Sequence, residues 1–127
     1  MRFMVIVKAT KDSEAGAHPP AAIMAAVGKL AEESTRKGTL VSTGGLMPSS
    51  NGARVHLAGG KLTVTDGPFA EAKELVGGWA FIEVKSKEEA IREARAFMQL
   101  HADVLGPSYE MDCEVRQAYE NVPGQTS

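Results

Sequence analysis

A chain of 127 residues, 43% of them hydrophobic, buries one core of ordinary size and is too short for two, so residues 1–120 read as a single domain followed by a loose tail over 121–127. Fourteen basic side chains stand against 16 acidic ones for a formal charge of -2, which leaves no electrostatic footprint for direct binding of nucleic acid or an anionic membrane. The lone Cys113 cannot close an internal disulfide, and the apolar run Phe3 to Val7 is too short for a signal-peptide core or a membrane span, so a cytoplasmic protein is expected.

In chain order, Arg2 to Lys8 (RFMVIVK) comes first. It has Phe3, Val5 and Val7 on one parity and Met4 and Ile6 on the other, the pattern of a strand covered on both faces. After a polar loop, Pro19-Pro20 suits a helix start. Ile23, Val27, Leu30 and Ala31 then recur at helical spacing through Ala21 to Lys37, until Gly38 stops the run. Thr39 to Leu46 (TLVSTGGL) reads as a strand, ended by a Pro-, Ser-, Asn- and Gly-rich loop from Met47 to Gly52. Arg54 to Leu57 and Lys61 to Thr65 flank Ala58-Gly59-Gly60, whose glycines permit the positive backbone angles of a tight turn, and together they read as an inserted β-hairpin.

The stretch Thr65 to Glu74 (TDGPFAEAKE) leads from the hairpin into Gly77 to Lys85 (GGWAFIEVK), a second strand that is apolar on both parities. Ser86-Lys87-Glu88-Glu89 has the capping-box pattern ahead of Ala90, Ile91, Ala94, Phe97 and Met98, and predicts a helix to about Leu100. Glu110 to Tyr119 supplies a last strand, with Met111, Cys113 and Val115 on one face. Without the hairpin the order is that of an α+β, ferredoxin-like split βαβ fold, an antiparallel sheet with two helices on one face. Two helices leave the other face bare although the strands are apolar there, and a homodimer packed through its sheet faces is the simplest cover.

Thr65 to Glu74, followed by Gly77-Gly78 and Phe81-Ile82-Glu83-Val84, resembles the DGPF subgroup of the YciI-like (YCII-related) family, small bacterial proteins of dimeric α+β barrel fold. The likeness covers almost the whole chain, including Gly28-Lys29-Leu30-Ala31-Glu32-Glu33 ahead of Gly38, and Gly44-Gly45-Leu46. For fold, the resemblance implies the dimeric barrel. For function it implies two classes. Some relatives are hydrolytic or dehalogenating enzymes that act on small ring-cleavage products through a first-helix histidine and an aspartate near that helix's end. The subgroup's gene neighbourhood implies instead a regulatory role beside sigma-type factors. Counted back from Gly38, the two dyad positions fall on Val27 and Arg36, and since a valine takes no proton this dyad is absent.

The remaining polar residues each have two readings. Asp66-Gly67-Pro68 is a turn by composition; alternatively Asp66 is a general base or ligand contact, which requires partial burial. Glu71, Lys73 and Glu74 form a solvated face, or hold a ligand carboxylate or serve acid/base roles, Phe69 anchors the loop or lines a pocket, and Trp79 belongs to the core, an interface or a pocket wall. His18 is the general-base candidate beside the first helix. His18, His56 and His101 lack the spacing of a metal pair, and the glycine pairs match no phosphate loop, so neither a metal nor a cofactor is expected.

Two functions follow. In the first, a small polar organic molecule is bound or transformed in a cleft between the sheet, the first helix and the motif loop, with Asp66, His18 and Glu71 as catalytic candidates and Lys8, Phe69, Lys73 and Trp79 as ligand contacts. In the second, the chain is a non-catalytic accessory or regulatory module with a sigma-type factor as partner.

Overall fold

Six strands and three α-helices occur among the described residues: β1 (Arg2–Lys8), α1 (Lys11–Glu14), α2 (Ala21–Arg36), β2 (Leu40–Gly45), β3 (Ala53–Ala58), β4 (Lys61–Asp66), β5 (Val76–Glu83), α3 (Lys87–Leu105) and β6 (Cys113–Gln117). They are drawn from a computed structural model that describes residues 1–120, so the tail expected over 121–127 lies outside the described residues. β1, β2, β5 and β6 form one sheet in the order β2-β5-β1-β6, and every neighbouring pair is antiparallel. β5 is thereby slotted between β1 and β2, which run the same way. The architecture is α+β and compatible with the ferredoxin-like split βαβ expected from the element order.

Strand parity decides where the core sits. Phe3, Val5, Ile82 and Val84 turn to one side of the sheet and are buried there against Ala90 and Ala94 of α3. Burying each of these larger side chains stabilises the fold by about 1.5–3 kcal/mol, and alanine on the helix lets α3 approach the strands closely. Ile23 of α2 is buried as well. On the opposite parity, Met4, Ile6, Trp79 and Phe81 are only half-buried, so within one chain a single face of the sheet is covered. Arg2 stacks its guanidinium 5.7 Å from the Phe81 ring centre on this face, and Lys8 pairs with Glu114 at 3.7 Å.

The inserted hairpin is a separate two-stranded sheet, paired from Ala53 with Asp66 to Ala58 with Lys61 and turned by Gly59 and Gly60 at positive φ. All of its residues are exposed. Val55, Leu57, Leu62 and Val64 meet across the strands on one face and stand 66% to 68% exposed.

Three elements differ from expectation, the simplest being the last strand, which spans Cys113–Gln117 and not Glu110 to Tyr119. The polar loop after β1 contains α1, a single turn closed by a reciprocal pair: Ser13 N donates to Thr10 Oγ1 at 3.1 Å and Thr10 N donates to Ser13 Oγ at 2.9 Å. α3 starts as expected, with Ser86 Oγ accepting from Glu89 N at 3.1 Å, although the Glu89 carboxylate accepts from Lys85 N, not from the Ser86 amide that a full capping box would use. It then runs past Leu100 to Leu105, because the stop signal is Gly106, at φ 94, followed by Pro107. The extra turn brings His101 onto the helix. Among the described residues no helix is long and apolar enough to cross a membrane.

Cys113 packs half-buried beside the core on β6, and burial, with the Asp112 carboxylate adding to it, pushes its thiol up from the ordinary value. Both causes disfavour the thiolate, so the folded chain holds the proton to higher pH than the unfolded chain does. Alkylation by iodoacetamide is therefore expected to be slower for native protein than for urea-unfolded protein, with its pH midpoint above that of a free thiol. Equal rates in the two states would contradict this.

Candidate functional site

Between α2, α3 and the helix-facing side of the sheet, the packing does not close. A cavity of about 390 Å³ remains, within the range of roughly 300–1,000 Å³ in which small-molecule sites fall. Its floor includes Val5, Val7 and Ile82, and its walls include Ile23 and Val27 of α2 and Phe97 of α3. Four glycines lie along this gap. Gly44, Gly45, Gly77 and Gly78 border it with backbone alone, and two of them are held to glycine by their neighbours. The Trp79 ring lies where a Gly44 Cβ would stand, and a Gly78 Cβ would come within 2.9 Å of the Gly44 carbonyl oxygen.

Few polar side chains reach this space: Ser34, Thr43, Glu93 and His101. Thr43 is occupied, its Oγ1 donating to the Trp79 carbonyl at 2.8 Å. His101 is fixed more firmly. Its Nδ1 lies 2.9 Å from the Phe97 carbonyl oxygen one turn back. A carbonyl only accepts, which assigns the proton to Nδ1 and, in the neutral ring, the lone pair to Nε2. Phe97 at 4.6 Å and Tyr109 at 6.1 Å between ring centres hold the imidazole from two sides. A second hollow of about 370 Å³, bordered by Met98, Tyr109 and Asp112, shares the His101 ring. Burial there, with the Asp12 carboxylate adding to it, pushes the Tyr109 hydroxyl up from its ordinary value.

The motif corner is built differently, out of hydrogen bonds to its own surroundings. Gly67 N donates to Gly52 O at 2.9 Å, and Phe69 N donates to Ser49 Oγ at 3.0 Å. The Ser49 hydroxyl in turn donates to the Glu14 carboxylate, which also accepts from Ser49 N at 2.9 Å. From the hairpin, Arg54 lies 3.9 Å over the Phe69 ring and 3.4 Å from a Glu71 carboxylate oxygen. The stretch thus fastens the base of the hairpin to the loop before it and to α1.

The residues singled out from the sequence do not converge. Trp79 borders the cavity; so does Pro19, but its neighbour His18 does not. Asp66 ends β4, exposed; Phe69 and Glu71 meet at Arg54; Lys73 is exposed in the turn Ala72–Glu74; and Lys8 pairs with Glu114 on the other face of the sheet. Glu93, Phe97 and His101, by contrast, recur every fourth residue and so share one stripe of α3. That spacing was available in the sequence, but a helix ending at Leu100 leaves His101 off it.

These are the features of a small α+β domain with a side cavity, and the family model of the YCII-related domain matches residues 1–105. The chain belongs to that family. No curated protein matches it. Val27, aligned by resemblance with the dyad histidine, lines the cavity, while Arg36 is exposed near the end of α2 and paired with Glu32 at 3.5 Å.

A methyl group added at Gly67 would overlap the Ser49 carbonyl oxygen, a backbone atom with little room to retreat. Gly67→Ala is expected to lower unfolding stability by about 1–3 kcal/mol, the usual cost of overpacking. An unchanged urea midpoint would show that the corner is looser than its hydrogen bonds indicate.

Proposed function

We propose that the chain binds, or acts on, a small organic molecule held in the cavity between α2, α3 and the sheet. The observation that carries this reading is an open space of ligand size with an apolar wall and few polar groups. The wall favours a mostly apolar molecule with a polar end over the wholly polar one suggested by the motif's charges. Each polar group left unpaired against Val, Ile and Phe side chains costs roughly 1–3 kcal/mol. Of the residues marked in the sequence, Trp79 borders the cavity from a strand parity that turns its ring to the opposite face of the sheet, so no ligand contact is assigned to it, and the TDGPF motif supports placing the chain in the DGPF subgroup.

Ala31 also borders the cavity, and Ala31→Trp would put an indole into part of it. In saturation-transfer NMR with a library of small aromatic alcohols and hydrocarbons, at least one compound is expected to bind the native protein. It should bind Ala31→Trp at least about tenfold more weakly, a loss of 1.4 kcal/mol or more, with the circular dichroism spectrum retained. Undiminished binding to this variant would place the site elsewhere.

The proposal extends to assembly. Two copies would pack through the sheet face that carries Met4, Ile6, Trp79 and Phe81, completing a dimeric α+β barrel in the cytoplasm; the support is the half-exposed apolar parity of β1 and β5. The exposed apolar face of the hairpin supports an alternative, an accessory module docked on a sigma-type factor. Light scattering at micromolar concentration is expected to report a dimer. A monomer would contradict it, and a monomer that co-purifies with such a factor would favour the accessory reading.

A further inference from the structure

Resting on the cavity reading, we infer that His101 is the hydrogen-bond acceptor of the cavity, and that the ligand is a small apolar molecule carrying a hydroxyl, of the phenol or enol class. Three observations converge. The residue borders the cavity. Its Nδ1 is committed to the Phe97 carbonyl, so in the neutral ring the group on offer is the Nε2 lone pair, and no protein donor among the described residues takes it. The aromatic rings of Phe97 and Tyr109 fix the imidazole plane, so the acceptor is oriented before any ligand arrives. A carbonyl or ether ligand would present a second acceptor to that lone pair, whereas a hydroxyl donates to it.

Of the other polar groups, Ser34 both donates and accepts, whereas Glu93 agrees with His101 in sign. Glu93 lies two turns earlier on the same stripe of α3, about 12 Å away along the helix axis, and its carboxylate accepts too when ionised. The titratable groups around His101 are Glu93 on α3 and Tyr109, Glu110 and Asp112 from the segment after it; α2 and the sheet contribute no titratable side chain to the lining. An anionic ligand would meet carboxylates on both sides of the ring. A neutral hydroxyl meets none of that repulsion.

The test uses two probes of the same shape, para-cresol and para-xylene, which differ by a hydroxyl in place of a methyl. Native protein is expected to bind para-cresol about fivefold to tenfold more tightly, the size of one net hydrogen bond in a partly dry site. His101→Leu should bind both alike, with its circular dichroism spectrum and unfolding transition retained as proof that it folds, and His101→Gln, which restores an acceptor, should recover part of the preference. Equal binding of both probes by native protein, or a preference that survives in His101→Leu, would overturn the assignment of His101 and leave the cavity reading standing. Binding of neither probe to native protein would remove the cavity reading and this inference together.

Discussion

The close approach of α3 to the sheet is the constraint from which the rest of the structure follows. Ala90 and Ala94 present only methyl groups to Phe3, Val5, Ile82 and Val84, so one end of the helix sits directly on the strands. Farther along, Phe97 and His101 border an open space instead, edged by glycines of β2 and β5 and, from across the gap, by Ile23 and Val27 of α2. Core and cavity are therefore consecutive stretches of the same helix–sheet contact. A side chain that tightened one would reshape the other.

The motif that dominates the sequence has a different task. Its charges and ring are used locally: Glu71 and Phe69 by Arg54, and the Phe69 amide by Ser49, which is itself held by Glu14. Four segments that are separate in sequence meet in that knot: α1, the loop before β3, the first hairpin strand and the corner itself. The exposed Arg54–Glu71 pair adds little stability by itself, since ion pairs in water are worth about 0–1 kcal/mol. The buried cost of any change at Gly67 falls on the backbone of Ser49.

Much of the fold was legible in the sequence because its signals are local. Alternation in RFMVIVK and GGWAFIEVK marked the central strands, Pro19-Pro20 and Ser86 marked the helix starts, and Gly59-Gly60 marked the hairpin turn. Two local features were misread: Thr10 and Ser13 close a turn of helix inside an apparent loop, and Gly106-Pro107, not Leu100, ends α3. The candidate site was far less legible. The charges of TDGPFAEAKE are a local signal, whereas the cavity is bordered by glycines and by residues more than 70 positions apart, such as Ile23 and Phe97, that only the fold brings together. Its histidine was hidden by the same five-residue error in the length of α3.

The central claim is that small molecules occupy the space between the helices and the sheet, not the motif corner. Intermolecular nuclear Overhauser effects from bound para-cresol test it most directly. The account predicts contacts to the methyl groups of Ile23 and Val27 and to the ring of Phe97. Contacts confined to Phe69 and to the exposed hairpin side chains Val55 and Leu57 would contradict it.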